Sequence, residues 1–201
     1  MKKFIFAILF GVLILCSSVF GSYFSWKYYT KQKENKAESW QILKIAEDLI
    51  EEQKETIENN NAKHNEQEIV FENGIIGILK IPVLNIEAPI KDGTSQEVMR
   101  TSIGHFIESD YWNGNVALAS HNGGSNAHYF SKISTLNNND EIEYLTKFGT
   151  KKYVVQDIKK IESTDWSMVE KNSKQNENTI TLITCINGQP KYRLCVRGKE
   201  M

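Results

Sequence analysis

Residues 70–201 are predicted to be mainly β: a closed or nearly closed antiparallel barrel with brief helices, preceded by a membrane helix and a helical stalk. Three observations carry that expectation. Short β-branched and aliphatic runs, bounded by turn residues, recur from residue 75 onward at spacings of roughly 8–12 residues, as in all-β barrels. Residues 4–26, FIFAILFGVLILCSSVFGSYFSW, carry no charge, and about 20 apolar residues suffice to cross a bilayer as a helix. Between them, Trp40, Leu43, Ala46, Leu49, Ile50 and Ile57 fall at helical spacing among Glu and Lys.

The expected organisation is a cytoplasmic tail (1–3), a transmembrane signal anchor (4–26), an extracellular stalk or linker (27–69) and a folded domain (70–201). Trp26, Tyr28 and Tyr29 would sit at the membrane interface. Two other readings of the N-terminus are a signal peptide cleaved near Gly21 and a lipoprotein signal ending at Cys16. Val19 and Gly21 fit a cleavage site loosely, and Leu15 stands where a lipoprotein signal has a small residue. Lysines flank both sides of the run, so orientation rests on the shortness of the N-terminal tail, which puts residues 27–201 outside a single-pass membrane chain. The stalk has too few heptads for a coiled coil and is expected as a solvated spacer. Its end, ENNNAKHNEQE (58–68), is polar throughout, and His64 within it is given no role.

Composition excludes some classes. There are 24 basic and 25 acidic side chains, with no basic cluster of the kind that nucleic acid requires. The three cysteines, Cys16, Cys185 and Cys195, form no CxxC, so a zinc ribbon is unavailable. A domain of about 130 residues can bury a core without disulfides.

Within the domain, strands are predicted at 75–82, ending at Pro82, and at 84–90, where Pro89 favours an edge. Asp92-Gly93 is a turn. Thr94 and Glu97 form a capping-box pattern that opens a helix over 95–102. Residues 104–115 read as a loop, 115–120 as a short buried strand ending at His121, and 127–135 as a short helix with no role for His128. Strands follow at 140–146, 152–158 and 160–163, then a turn at 165–167 and a polar loop at 171–178. The chain closes with strands at 181–184 and 192–196 around the turn residues Asn187, Gly188 and Pro190.

That closing pair carries the chemistry. Cys185 ends one strand and Arg193 opens the next, while His121 ends a third. A thiol nucleophile, an imidazole to hold or donate a proton and a cation for a developing oxyanion are the parts of a cysteine acyl-transfer site. Arg197 competes with Arg193, because residues 193, 195 and 197 share one strand face; Arg193 lies nearer the turn. Cys195 could pair with Cys185 in an oxidising compartment, which would disable the nucleophile, and is otherwise a packed thiol. No Asp or Asn that would orient the imidazole is identifiable in the sequence; Asn122 is adjacent to His121, but neighbouring side chains need not face each other.

The segments NVALASHN, TLITC and YRLCVRG, with Gly104-His105 upstream, closely resemble sortases, the membrane-anchored cysteine transpeptidases of Gram-positive bacteria. The resemblance spans about residues 75–198. It implies a sortase-type barrel of about eight strands, with Cys185 as nucleophile, His121 as proton donor and Arg193 as oxyanion stabiliser. It also implies cleavage of an LPxTG-like sorting signal between Thr and Gly, and transfer through a thioester to an amine of a peptidoglycan precursor or another protein. Thr184 and His105 are candidate substrate-binding residues. No cofactor is implied. Glu108, Asp110 and Glu170 are the nearest acids to a calcium site that some sortases carry, and are too loosely placed to form one. The connection from Ile186 to Tyr192 has seven residues, too few for the helix inserted in class B enzymes. No lid motif precedes the domain and no second membrane helix follows it. Class A or D remains, with D favoured. The alternatives are a pilin-joining sortase and a catalytically inactive peptide- or wall-binding module.

Overall fold

The computed structural model describes residues 2–57, 69–124, 126–171 and 177–201; side chains of residues 2–12, 14–15 and 53–57 lie outside the description. The polar segment 58–68 with His64, and part of the predicted 171–178 loop, also fall outside it. One helix, α1 (Lys2–Ile57), leads into eight strands: β1 (Ile75–Ile81), β2 (Ile86–Asp92), β3 (Ile103–His105), β4 (Asn115–Ala119), β5 (Glu141–Thr146), β6 (Gly149–Glu162), β7 (Thr179–Cys185) and β8 (Tyr192–Glu200).

The strands close in the order β1-β2-β3-β4-β7-β8-β6-β5, with β5 returning to β1. Closure removes the exposed edges that an open sheet would leave. Gly77 permits it: a Cβ there would collide with the Leu145 carbonyl oxygen across the β1–β5 seam. The predicted all-antiparallel barrel is corrected in one respect, because β2 pairs with β3 in parallel and β4 pairs with β7 in parallel. In each case enough chain separates the partners to bring the second strand back in the same direction.

Inward side chains form the main core, among them Leu79, Ile90, Val116, Leu118, Phe130, Tyr144, Tyr153, Ile180, Leu182 and Val196. The wall made by β4, β7 and β8 is buried on its outer face too. There Ala117, Ala119, Ile183 and Cys195 pack against Phe106, Ile161, Met168 and Val169. A strand covered on both faces reads as an uninterrupted apolar run, which is why NVALA shows no alternation.

Local expectations are met unevenly. The predicted helix at 95–102 is a single 3₁₀ turn, Val98–Arg100, and Ser95 Oγ rather than Thr94 accepts from Val98 N–H, at 3.2 Å. β3 fell inside a predicted loop. The segments predicted at 152–158 and 160–163 are one 14-residue strand.

The largest departure concerns the stalk. α1 is continuous over 56 residues, and its second half docks on the barrel instead of standing free as a solvated spacer. Leu43, Ala46 and Ile50 are buried against Ile75 and Ile78 of β1. Above that apolar patch Arg100 donates from Nη1 and Nη2 to both Glu38 carboxylate oxygens (2.6 and 2.8 Å) and from Nη1 to Asn35 Oδ1 (2.9 Å). Ser39 meets the Tyr129 hydroxyl. Nearer the N-terminus, Val19, Phe20, Tyr23, Phe24, Trp26, Tyr28 and Tyr29 stand exposed on α1. Among the described residues no helix is long and apolar enough to cross a membrane, and much of the predicted 4–26 span has side chains outside the description.

Candidate active site

The parallel β4–β7 seam decides which groups can meet. Its register runs from Asn115 opposite Thr179 to Ala119 opposite Ile183, so both strands reach the same rim with their C-terminal ends. Ser120 N–H continues the ladder by donating to the Ile183 carbonyl, at 3.4 Å. His121 therefore leaves β4 beside Cys185, the last residue of β7. An antiparallel pairing would have put the two at opposite ends of the barrel. β8 runs antiparallel to β7 and sets Arg193 directly across from Cys185.

Cys185 is exposed and Cys195 is buried, and both are free thiols, as is Cys16. Cys195 lies across from Ile183, not Cys185, and burial pushes its thiol pKa up to about 11. The two groups thus have opposite characters: an accessible thiol at the rim and a core thiol that stays protonated.

His121 is half-buried. Burial, followed by the charge of His128, holds its pKa below the ordinary imidazole value, since both disfavour the cation. Asn126 Nδ2 donates to His121 Nε2 at 3.4 Å, which leaves the ring proton of the neutral imidazole on Nδ1. The adjacent Asn122 donates from Nδ2 to the Cys185 carbonyl at 2.8 Å and ties the histidine loop to the end of β7.

Arg193 Nη1 donates to the carbonyls of Pro190 (2.9 Å) and Tyr192 (2.8 Å). These bonds hold the guanidinium to the β7–β8 connection and use one of its three nitrogens. Arg197 lies farther down β8 across from Thr181, with Nη2 3.5 Å from Thr179 Oγ1, so it belongs to the strand's middle and not to the rim.

Two candidate binding residues sit elsewhere. Thr184 is buried and donates from Oγ1 to the Ser120 carbonyl at 2.7 Å; it locks the ends of β4 and β7 together. His105 is 0% exposed and cannot line a groove. Its Nε2 donates to the Asp110 carbonyl (3.0 Å) and lies 3.0 Å from Ser109 Oγ, and its Nδ1 lies 3.2 Å from Asp92 Oδ1. Among the described residues no three His, Cys, Asp or Glu side chains converge as a metal site. The carboxylate of Asp110 accepts Asn115 N–H at 2.8 Å.

Asn115, the first residue of the NVALASHN segment, organises the wall behind the site. Its Nδ2 donates to the carbonyls of Met168 and Glu170, each at 3.0 Å, and its Oδ1 accepts from Thr181 Oγ1 at 2.8 Å. The β6–β7 connection is thereby fastened over the outer apolar face that leads to Cys185.

A closed eight-stranded barrel carries a thiol, an imidazole and a guanidinium at the joint end of its parallel seam, the groups that a cysteine acyl-transfer site requires. Residues 79–201 match the sortase-domain family, and the chain belongs to the sortase family, whose members are cysteine transpeptidases. It is 28% identical over 132 residues to Sortase D of Bacillus subtilis (strain 168), a match that covers 62% of this chain and 63% of that protein. Among solved structures, sortase C-1 from Streptococcus pneumoniae superposes with a TM-score of 0.62 at 22% identity, covering 71% of this chain and 74% of the other. A lid mutant of sortase A from Corynebacterium diphtheriae gives 0.57 at 26% identity, covering 62% and 68%.

Proposed function

We propose that this chain is a membrane-anchored transpeptidase that cleaves an LPxTG-like sorting signal between Thr and Gly and passes the acyl fragment to an amine. The observation that carries this reading is the exposed Cys185 at the joint end of β4 and β7, with His121 next to it and Arg193 in register across it.

In the proposed reaction, the Cys185 thiolate adds to the threonine carbonyl carbon. The resulting oxyanion is stabilised by Arg193, whose remaining N–H groups suit a developing negative charge. His121, as imidazolium, gives its proton to the glycine nitrogen as the C–N bond breaks. A Cys185 thioester and a free amine result. An amine from a peptidoglycan precursor or another protein then adds to the thioester, loses its proton to His121, and displaces the thiolate. Burial and the charge of His128 disfavour the imidazolium form of His121 in the free protein.

The anchor reading has its own support. The apolar residues of α1 between Val19 and Tyr29 stand clear of the protein, and a large exposed apolar patch marks a surface meant for another phase or partner. Residues 4–26 would then fix the chain in the cell membrane with the barrel outside. For the subclass, the likeness to Sortase D and the short Ile186–Tyr192 connection favour class D.

The test uses the full chain in detergent with a peptide that contains LPxTG. Mass spectrometry should find the fragment ending in Thr bound to Cys185, released as the hydroxamate by hydroxylamine. Cleavage at another bond, or turnover with no adduct at Cys185, would sink the reading.

A further inference from the structure

The segment that follows His121 is held from outside the barrel. Asn126, which contacts the His121 ring, is followed by Ala127, whose N–H donates to the Arg100 carbonyl at 2.8 Å. The Arg100 side chain is in turn forked onto Glu38 and bonded to Asn35 of α1. On the other side Tyr129 meets Ser39, one residue farther along α1. His128 folds back, its Nδ1 donating to the Asn126 carbonyl at 3.0 Å. Thus both flanks of residues 126–128 are tied to one turn of α1, residues 35–39.

Apolar packing does not do this work. A cavity of ≈ 680 Å³ separates α1 from this segment, with Lys33, Lys36 and Trp40 on one wall and Asn126 and His128 on the other. The buried Leu43, Ala46 and Ile50 dock farther along, on β1. Across the cavity the Arg100 fork and the Ser39–Tyr129 contact tie α1 to the histidine segment and help to set their distance. A hydrogen bond as long as 3.4 Å weakens steeply with any further displacement, so the Asn126–His121 contact depends on that distance.

We propose that Asn126 is a positioning residue for His121, and that α1 is the brace that holds it there through Glu38, Arg100 and Tyr129. The inference rests on the transpeptidase reading for its catalytic consequence. Asn126 offers a donor to Nε2 and so selects the tautomer with its proton on Nδ1, the nitrogen then left for the reaction. The charge that acts on the ring is that of His128 on the same segment, and the strand register brings Cys185 at the end of β7 and Arg193 on β8 to the same rim. The stalk is accordingly part of the active-site support.

The experiment is a histidine-selective NMR titration of the full chain in detergent micelles, run beside peptide kinetics. The four histidines are few enough to assign with a His121→Gln reference. Removing a donor to the neutral ring favours the cation. Asn126→Ala should therefore move the His121 midpoint up by about 0.5 pH and lower kcat by about tenfold with KM little changed. Asn126→Asp should move it up by about one pH. Glu38→Ala should shift the midpoint in the same direction by less and reduce kcat about threefold, and its effect should vanish in the Asn126→Ala background, as for coupled residues. If Glu38→Ala disturbs the fold by near-UV circular dichroism, Glu38→Gln, which keeps the side-chain volume, replaces it. A His121 midpoint unmoved in Asn126→Ala, or Glu38 and Asn126 effects that multiply independently, overturns the proposal. Absence of peptide cleavage in the parent chain would count against the transpeptidase reading alone, because the NMR midpoints still decide the brace.

Discussion

His105 and His121 lie at the ends of neighbouring strands, and Cys195 and Cys185 lie on adjoining ones, yet the members of each pair occupy opposite environments. His105 faces the interior with both ring nitrogens partnered by Asp92, Ser109 and Asp110. Cys195 is sealed under Met168 and Val169. His121 is half-buried with a long hydrogen bond from Asn126, and Cys185 is exposed. The contrast separates two uses of the same side chains. Groups with every hydrogen-bonding direction satisfied in a dry site contribute to stability, whereas groups held at a rim with unspent capacity are available for proton and acyl transfer.

The largest effect should come from exchanging the two thiols in turn. Cys185→Ala should lower peptide turnover by at least about 10³-fold with the melting curve unchanged, as loss of a nucleophile does. Cys195→Ala should leave turnover within about threefold and destabilise the fold by about 1 kcal/mol, the scale of a small core truncation. Steady-state kinetics with thermal denaturation read both. Comparable activity losses in the two variants would erase the distinction between rim and core.

The arginines sharpen it next. Arg193→Lys should reduce kcat by about 10²-fold, because an ammonium keeps the charge but not the planar fork. Arg197→Lys, in the middle of β8, should stay within about threefold. A greater loss at Arg197 would relocate the oxyanion site down the strand.

For the interior histidine the expected loss is in stability. His105→Ala removes one hydrogen bond from Asp92, which keeps that of the Tyr111 hydroxyl, and one from the Asp110 carbonyl, a loss of about 1–3 kcal/mol. Urea unfolding should show that loss, while the KM for peptide stays within about twofold. A several-fold rise in KM without destabilisation would restore His105 to the substrate groove.

How much of this was legible in the sequence depends on range. The thiol, the imidazole and the arginine could be named because each stands at the end of a strand whose apolar run is local. Strand direction is not local. Nothing within NVALA or TITLITC specifies that they run parallel, and that pairing is what brings His121 to Cys185. His105 and Thr184 looked available because polar residues beside a site are usually exposed; here each is buried by partners far along the chain or across the seam. The docking face of α1 was visible as helical spacing at Leu43, Ala46 and Ile50, but its partner surface on β1 was not. Asn126 gave no signal, since an asparagine in a loop commonly serves only the local turn, and Asn115 opens the NVALASHN segment without any local sign of the bonds it makes to Met168 and Glu170.

The smallest expected effect follows from the interior network and its response to acid. The hydrogen bond from His105, and after it that from the Tyr111 hydroxyl, hold Asp92 below the usual carboxylate range against the opposing effect of burial. A carboxyl whose pKa is lower folded than unfolded adds stability above its unfolded value, near 3.9, and loses it as pH falls through the folded value. Between pH 6 and 5 Asp92 should therefore contribute a constant amount, and the melting temperature should begin to drop only as pH approaches and passes 4. Asp92→Asn removes the titration, so its acid decline should be shallower than the parent's by about 2–4 °C, the shift that corresponds to roughly 1 kcal/mol in a chain of this size. The side chain of Asp92 is 30% exposed, and solvent screening keeps the effect at this scale. Parallel acid limbs in parent and variant would mean that the His105 site is held by its neutral hydrogen bonds to Asp110 and Ser109, with no electrostatic share from Asp92.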